Sequence, residues 1–217
     1  PPRRNDSPDS FLPPLPLPRR MWASSKVEFH QPLHPGEGVT RKSRIASVTE
    51  KTGGTGQLVF VDVAHEAQGE SGLAVSEVQS LVYRASAEPG TPPAPPPLVE
   101  GSFDPSAWSA HRALVPSETL LFRFSALTFN SHRIHYDRPY AQGEEGYPDL
   151  VVHGPFTAAR LHDLATRRLG RPLKRFAFRA TSPIFVGQPV KLTGDVATGV
   201  FKAIRCDGAE AMTAEAG

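Results

Sequence analysis

One cysteine, Cys206, is all that the 217 residues contain. A single thiol closes no internal disulfide and builds no cysteine metal cluster, which points to a reducing compartment and a cytoplasmic chain. Long apolar runs are missing as well, and no stretch approaches the roughly 20 residues that span a bilayer as a helix. No basic-then-apolar signal segment opens the sequence, so no membrane partner is expected. It opens on Pro1 rather than Met, as expected of a processed or truncated chain. Net charge is only +2, with acids and bases interspersed. That argues against a general nucleic-acid binder, while a pI near 8.9 leaves room for an anionic ligand. Several catalytic signatures are also absent: there is no HExxH, no GxSxG elbow, and no GxGxxG or GxxxxGK phosphate loop.

Proline, by contrast, is abundant and clustered, with 23 residues in all. "FLPPLPLPRR" (11–20) must be extended, since each Pro fixes φ and disfavours helix before it. "EPGTPPAPPPLVEGS" (88–102) reads as a semi-rigid or disordered spacer. A Pro-rich ligand for a recognition domain is the competing reading of either stretch. With 39% hydrophobic residues the chain can bury a sizeable core, as one large or two small domains. The spacer divides it into an N-terminal unit (1–86), a linker (87–102) and a C-terminal unit (103–217).

The first unit reads as strands. "KVEFHQPL", "GVTRKSRIASVTEK", "GQLVFVDVAHEA" and "LAVSEVQSLVYR" alternate apolar and polar residues between Gly-containing turns. In the second unit "TLLFRFSALT" (119–128) is expected to be a strand. "PFTAARLHDLATRRLG" (155–170) is expected to be a helix, with Pro155 in its first turn and Gly170 at its stop. "LKRFAFRAT", "QPVKLTGDVA", "GVFKAIRCD" and "AEAMTAEA" follow as strands. An internal echo links the halves: Pro32, Leu33, Gly36 and Val39 match Pro183, Ile184, Gly187 and Val190 at constant offset. Two copies of one strand-rich unit are expected, with the first copy's helix lying upstream of Pro1.

"FNSHRIHYDRPYA" (129–141) gathers Asn130, His132, Arg133, His135 and Asp137. Histidine is suited to giving and taking protons near neutral pH. Asn130 can hold water or a carbonyl, Asp137 can orient an imidazole, and Arg133 offers a fork for carboxylate or phosphate. Taken alone, the stretch reads more readily as a solvated or capped loop with surface histidines. "DLVVHGPF" (149–156) adds His153 and Gly154 at a helix start, where unpaired N–H groups carry partial positive charge. Such a place can stabilise an enolate oxygen, although an ordinary helix N-terminus is the plainer alternative. For a metal site at His132, His135 and Asp137 there is no HExxH pattern and no helical signal before His135, and no metal is expected.

"FSALTFNSHRIHYDRPYA" followed by "YPDLVVHGPFTAARLHDL" resembles the MaoC-like hot-dog hydratases. The resemblance is to the branch of mesaconyl-CoA hydratase and the type 2 hydroxyacyl-thioester dehydratases. "LPLPRRMWASSKVEFHQPLHPGEGVTRKSRI" resembles the N-terminal unit of that branch. The resemblance implies an α+β double hot-dog fold, with antiparallel sheet wrapped around a long central helix. His135, six residues before Ala141, fits the motif's catalytic His; the position usually occupied by a catalytic Asp is Asn130.

The implied activity is that of a hydro-lyase acting on an α,β-unsaturated acyl-CoA, with acyl-CoA as partner and no cofactor. His135 and Asn130 would be catalytic, and Gly154 with His153 would bind the thioester carbonyl. His132 and Asp137 would support the loop. Arg133, or Arg19 and Arg20, would meet a substrate carboxylate or CoA phosphates. A short dicarboxylic acyl-CoA such as mesaconyl-CoA or itaconyl-CoA is the expected substrate. A dehydratase of longer 3-hydroxyacyl thioesters, a thioesterase and a non-catalytic acyl-CoA-binding protein remain open, as does a homodimer.

Overall fold

A computed structural model describes residues 11–53, 56–85 and 108–217. The chain divides into two compact units, 1–86 and 87–217. The linker expected at 87–102 lies outside the described residues.

The first unit is a four-stranded antiparallel sheet. Its strands are β1 (Arg19–Phe29), β2 (Thr40–Gly53), β3 (Gly56–Gly69) and β4 (Gly72–Arg84), in the order β2-β3-β4-β1. The period-2 pattern is obeyed on β3, where Val59, Val61 and Val63 are buried along one face. Among its described residues this unit contains no helix. Leu17 completes its core with Leu81 and Tyr83, and Leu12 and Leu15 pack against it. The proline-rich run 11–18 therefore serves as a cover: its prolines keep it out of helix while its leucines pack against the sheet.

The second unit opens with β5 (Ala110–Leu114), then α1 (Glu118–Thr128), a 3-10 turn (Arg133–His135), α2 (Arg138–Gly143) and α3 (Gly154–Leu169). The strands β6 (Arg175–Ala180), β7 (Val190–Asp195), β8 (Val200–Arg205) and β9 (Glu210–Ala216) follow. This sheet is antiparallel in the order β6-β9-β8-β7-β5. α3 lies against it through Phe156, Ala158, Leu161, Leu164 and Ala165. It stops at Gly170, whose φ of 68° is the left-handed cap that glycine adopts at no steric cost.

One element corrects the sequence reading. Residues 118–128, expected as a strand, form α1. Ser117 caps it by accepting from Leu120 N at 3.3 Å, and Glu118 stands in the first turn near the positive end of the dipole. Leu, Phe, Arg and Ala fill it, while its only β-branched residues, Thr119 and Thr128, sit at the ends. Leu121 and Ser125, one turn apart, are the pair it buries.

The two sheets repeat one topology. β2-β3-β4-β1 and β7-β8-β9-β6 have the same strand order, each antiparallel throughout. Gly36 and Gly187, matched in the internal echo, both take positive φ in the turn before the second strand of their set, at 95° and 75°.

Candidate active site

The 129–141 stretch follows a helix, and hydrogen bonds shape it closely. Phe129 takes φ 51° at the C-cap of α1, which turns the chain so that Asn130 N–H donates to Ser125 O at 2.9 Å. Asn130 Oδ1 then accepts from His132 N at 3.0 Å. This leaves Nδ2 as the amide's open group, without a partner among the described residues. Asp137 caps α2 by accepting from Tyr140 N at 3.2 Å. It also receives Arg133 Nε at 2.9 Å and a second guanidinium nitrogen at 2.7 Å. The Arg133 guanidinium lies 4.1 Å from the Tyr140 ring centre. Arg133 and Asp137 are thus occupied with each other, and Asp137 orients Arg133 rather than an imidazole. That pairing holds the Asp137 carboxyl below its usual range and raises Arg133.

His135 sits in the 3-10 turn with 7% exposure. Its Nδ1 is 2.7 Å from Val151 O. A carbonyl can only accept, so Nδ1 carries the proton and Nε2 keeps a lone pair. Val151 N in turn donates to Ile134 O at 2.9 Å, so one residue, Val151, clamps both Ile134 and His135. The 150–152 segment is held by Val152 N to Ile184 O and by Val186 N to Leu150 O. Ile134, Val151 and Phe185 form a small core beneath. Arg138 ties α2 to this segment and to α1, reaching Asp149 at 2.7 Å and Glu118 at 2.8 Å. Burial, followed by the neighbouring His153, lowers the His135 pKa to about 3. The ring is therefore neutral across the working pH range, as a general base must be.

His153 is the N-cap of α3 and only 1% exposed. Its ring stacks on His135 with centres 3.6 Å apart and planes 19° from parallel. Seventeen intervening residues hide this contact from any sequence reading. Nε2 meets Ser125 Oγ at 2.8 Å, and Nδ1 is buried without a partner among the described residues. No His153 nitrogen opens towards a ligand, so the ring is not placed as a thioester-binding donor. Burial lowers its pKa to about 4. His132 is exposed and approaches His135 edge-on at 5.7 Å.

Gly154 begins α3, where its N–H has no intrahelical partner. A Cβ at this position would meet no atom within 4 Å. The site therefore offers an imidazole lone pair, an amide and a helix N-terminus on three short segments, joined by the His135–His153 stack. Ser125 is the member that sequence reasoning missed. Its signal was a lone small polar residue one helical turn beyond Leu121. Arg19 and Arg20 lie on β1 of the first unit.

No helix among the described residues is long and apolar enough to cross a membrane. Comparison with known proteins matches residues 3–186 to the family described as hydroxyacyl-thioester dehydratase type 2. Over 183 residues the chain is 48% identical to a mesaconyl-C(4)-CoA hydratase of Chloroflexus aurantiacus, spanning 84% of this chain and 63% of that one. It is 27% identical over 203 residues to the mitochondrial hydroxyacyl-thioester dehydratase type 2 of Schizosaccharomyces pombe, spanning 82% and 65%. The chain thus covers less than two thirds of either relative. Among solved structures it resembles a MaoC-like dehydratase with a TM-score of 0.71 at 14% identity, over 94% of this chain and 76% of that one. A Mycobacterium tuberculosis protein described as a double hotdog fold matches with a TM-score of 0.59 at 13% identity, over 90% and 74%. The fold is the expected α+β double hot-dog, and the chain belongs to the MaoC-like family of type 2 hydroxyacyl-thioester dehydratases.

Proposed function

We propose that this chain hydrates an α,β-unsaturated acyl-CoA thioester reversibly, with a short dicarboxylic acyl group such as mesaconyl or itaconyl. The observation that carries this reading is the His135 tautomer: a neutral ring with its lone pair on Nε2, stacked on the residue that precedes Gly154. Sequence identity to a protein named mesaconyl-C(4)-CoA hydratase supports the choice of acyl group.

The chemistry is a syn-type exchange at one imidazole. Asn130 Nδ2–H holds a water molecule. His135 Nε2 takes one of its protons as the oxygen attacks the β-carbon. The electron pair displaced from the double bond runs to the thioester oxygen, where the Gly154 N–H and the α3 N-terminus stabilise the charge. The proton on Nε2 then passes to the α-carbon, which restores the carbonyl and the neutral ring. Asn cannot take a proton, so a single base serves both steps. Every group required is a side chain or backbone amide of this chain, and we include no cofactor or metal in the proposal. Arg19, Arg20 and Arg133 are the cations proposed for the substrate carboxylate or the CoA phosphates.

The family description favours a second reading, in which the physiological direction is dehydration of a 3-hydroxyacyl thioester. Following the enoyl-thioester absorbance with mesaconyl-CoA and crotonyl-CoA ranks the two substrates. His135→Ala is expected to lower turnover by about 100-fold or more. Turnover equal to wild type in that variant would refute the catalytic assignment.

A further inference from the structure

Ser125 sits on the buried side of α1, and none of the steps above uses it. Its hydroxyl meets His153 Nε2, while His153 Nδ1 is sealed without a partner among the described residues. A ring selected for packing alone would carry no such atom. Phe124 lies edge-on to His153 at 4.9 Å and to Phe156 at 5.5 Å, so the surroundings already suit a phenyl ring. An imidazole kept here, with one nitrogen tied to Ser125 and the other unpaired, indicates a task that outweighs the loss.

We propose that Ser125 and His153 are positioning residues: the Ser125 hydroxyl on α1 fixes the His153 ring, and that ring, stacked at 3.6 Å, fixes the plane and the neutral state of His135. This rests on reading His135 as the base. The bond from Nδ1 to Val151 O sets the tautomer but leaves the ring free to pivot about that one contact. A flat neutral neighbour held from a second helix removes the pivot and excludes water from one whole face.

The groups that face His135 are few. His153 faces it from α3, and His132 from its own loop. The Arg133–Asp137 pair of that loop is closed on itself. α1 offers Ser125, and the 149–152 segment offers Asp149, tied to Arg138. Burial is the largest cause of the lowered His135 pKa, so a loosened column admits water and lets that value rise towards 6.5.

The test compares Ser125→Ala, Ser125→Thr, His153→Phe and His135→Ala in enoyl-CoA hydration across pH, with imidazole 15N NMR on the substrate-free protein. Ser125→Ala and His153→Phe are expected to lower kcat roughly tenfold or more with little change in KM. The acidic limb of kcat/KM should move up by about one pH unit. Ser125→Thr, which keeps the hydroxyl, should restore both. In NMR, wild-type His135 should stay neutral with its proton on Nδ1 well below pH 6, and Ser125→Ala should titrate higher. Wild-type kcat, acidic limb and His135 titration in both Ser125→Ala and His153→Phe would overturn the proposal. Failure of the function itself looks different: His135→Ala keeps turning over, or the wild type hydrates neither thioester. The NMR arm still decides then, because a His135 tautomer and titration unmoved by Ser125→Ala overturn the column without reference to activity.

Discussion

Phe129 is the described residue, other than glycine, that holds a positive φ, at 51°, and its side chain is 89% exposed. Its backbone ends α1 in the left-handed turn usually given to glycine, and this turn delivers Asn130 to its hydrogen bonds. The left-handed conformation costs an L-residue about 1–2 kcal/mol, and glycine loses about 0.5–1 kcal/mol in chain entropy. Phe129→Gly should therefore stabilise the protein by roughly 0.5–1 kcal/mol, because little side-chain packing is given up. Thermal melts should rise by about 2 °C; a lower midpoint would mean that the ring contributes packing. The residue types of the site were legible in the sequence, and some partners were not. The D-R-P-Y run at 137–140 is an N-cap followed by a first-turn Pro, and that local signal outweighs its resemblance to an imidazole-orienting carboxylate. The stack of His135 on His153 had no local signal at all, since it depends on how two segments pack.

At the scale of elements, helix α3 and the long strands were readable because each carries one clear period and definite stops. α1 was misread because its apolar residues at 120, 122 and 124 alternate as a strand would, while Leu121 and Ser125 carry the helical spacing. Three features together resolve the ambiguity: Ser117 at the cap, Glu118 behind it, and no Val or Ile within the run. If the cap decides the conformation, then Ser117→Ala should destabilise the protein by about 1 kcal/mol and lower its melting midpoint by a few degrees. Ser117→Asp should retain the midpoint, since Asp caps as well as Ser. Equal midpoints for the wild type and Ser117→Ala would show that packing of Leu121 and Ser125, and not capping, fixes α1.

At the scale of the whole molecule, the internal echo marked a true repeat of strand order. It did not reveal how the first copy, which has no helix among its described residues, closes its core: Leu12, Leu15 and Leu17 do so from the proline-rich segment before β1. The second copy keeps its long helix, and the N-terminus of that helix is where two neutral imidazoles are buried together. This burial has a consequence for the stability of the entire chain. His135 and His153 titrate at about 3 and about 4 when folded, against an ordinary 6.5 when unfolded. Between those limits the unfolded chain binds more protons, so stability must fall as pH falls. The contribution is fully present above pH 6.5 and declines towards pH 4, by up to about 1.4 kcal/mol per pH unit for each ring. The paired carboxylates Asp137 and Asp163, whose pKa values are lowered, add loss of the same sign at still lower pH. Denaturant midpoints taken from pH 7.5 to pH 5 should drop steadily in the wild type and less steeply in His153→Phe, which removes one of the two rings. A midpoint that stays flat through this interval in the wild type would mean that both rings accept protons in the folded protein, and that the stack is open to water.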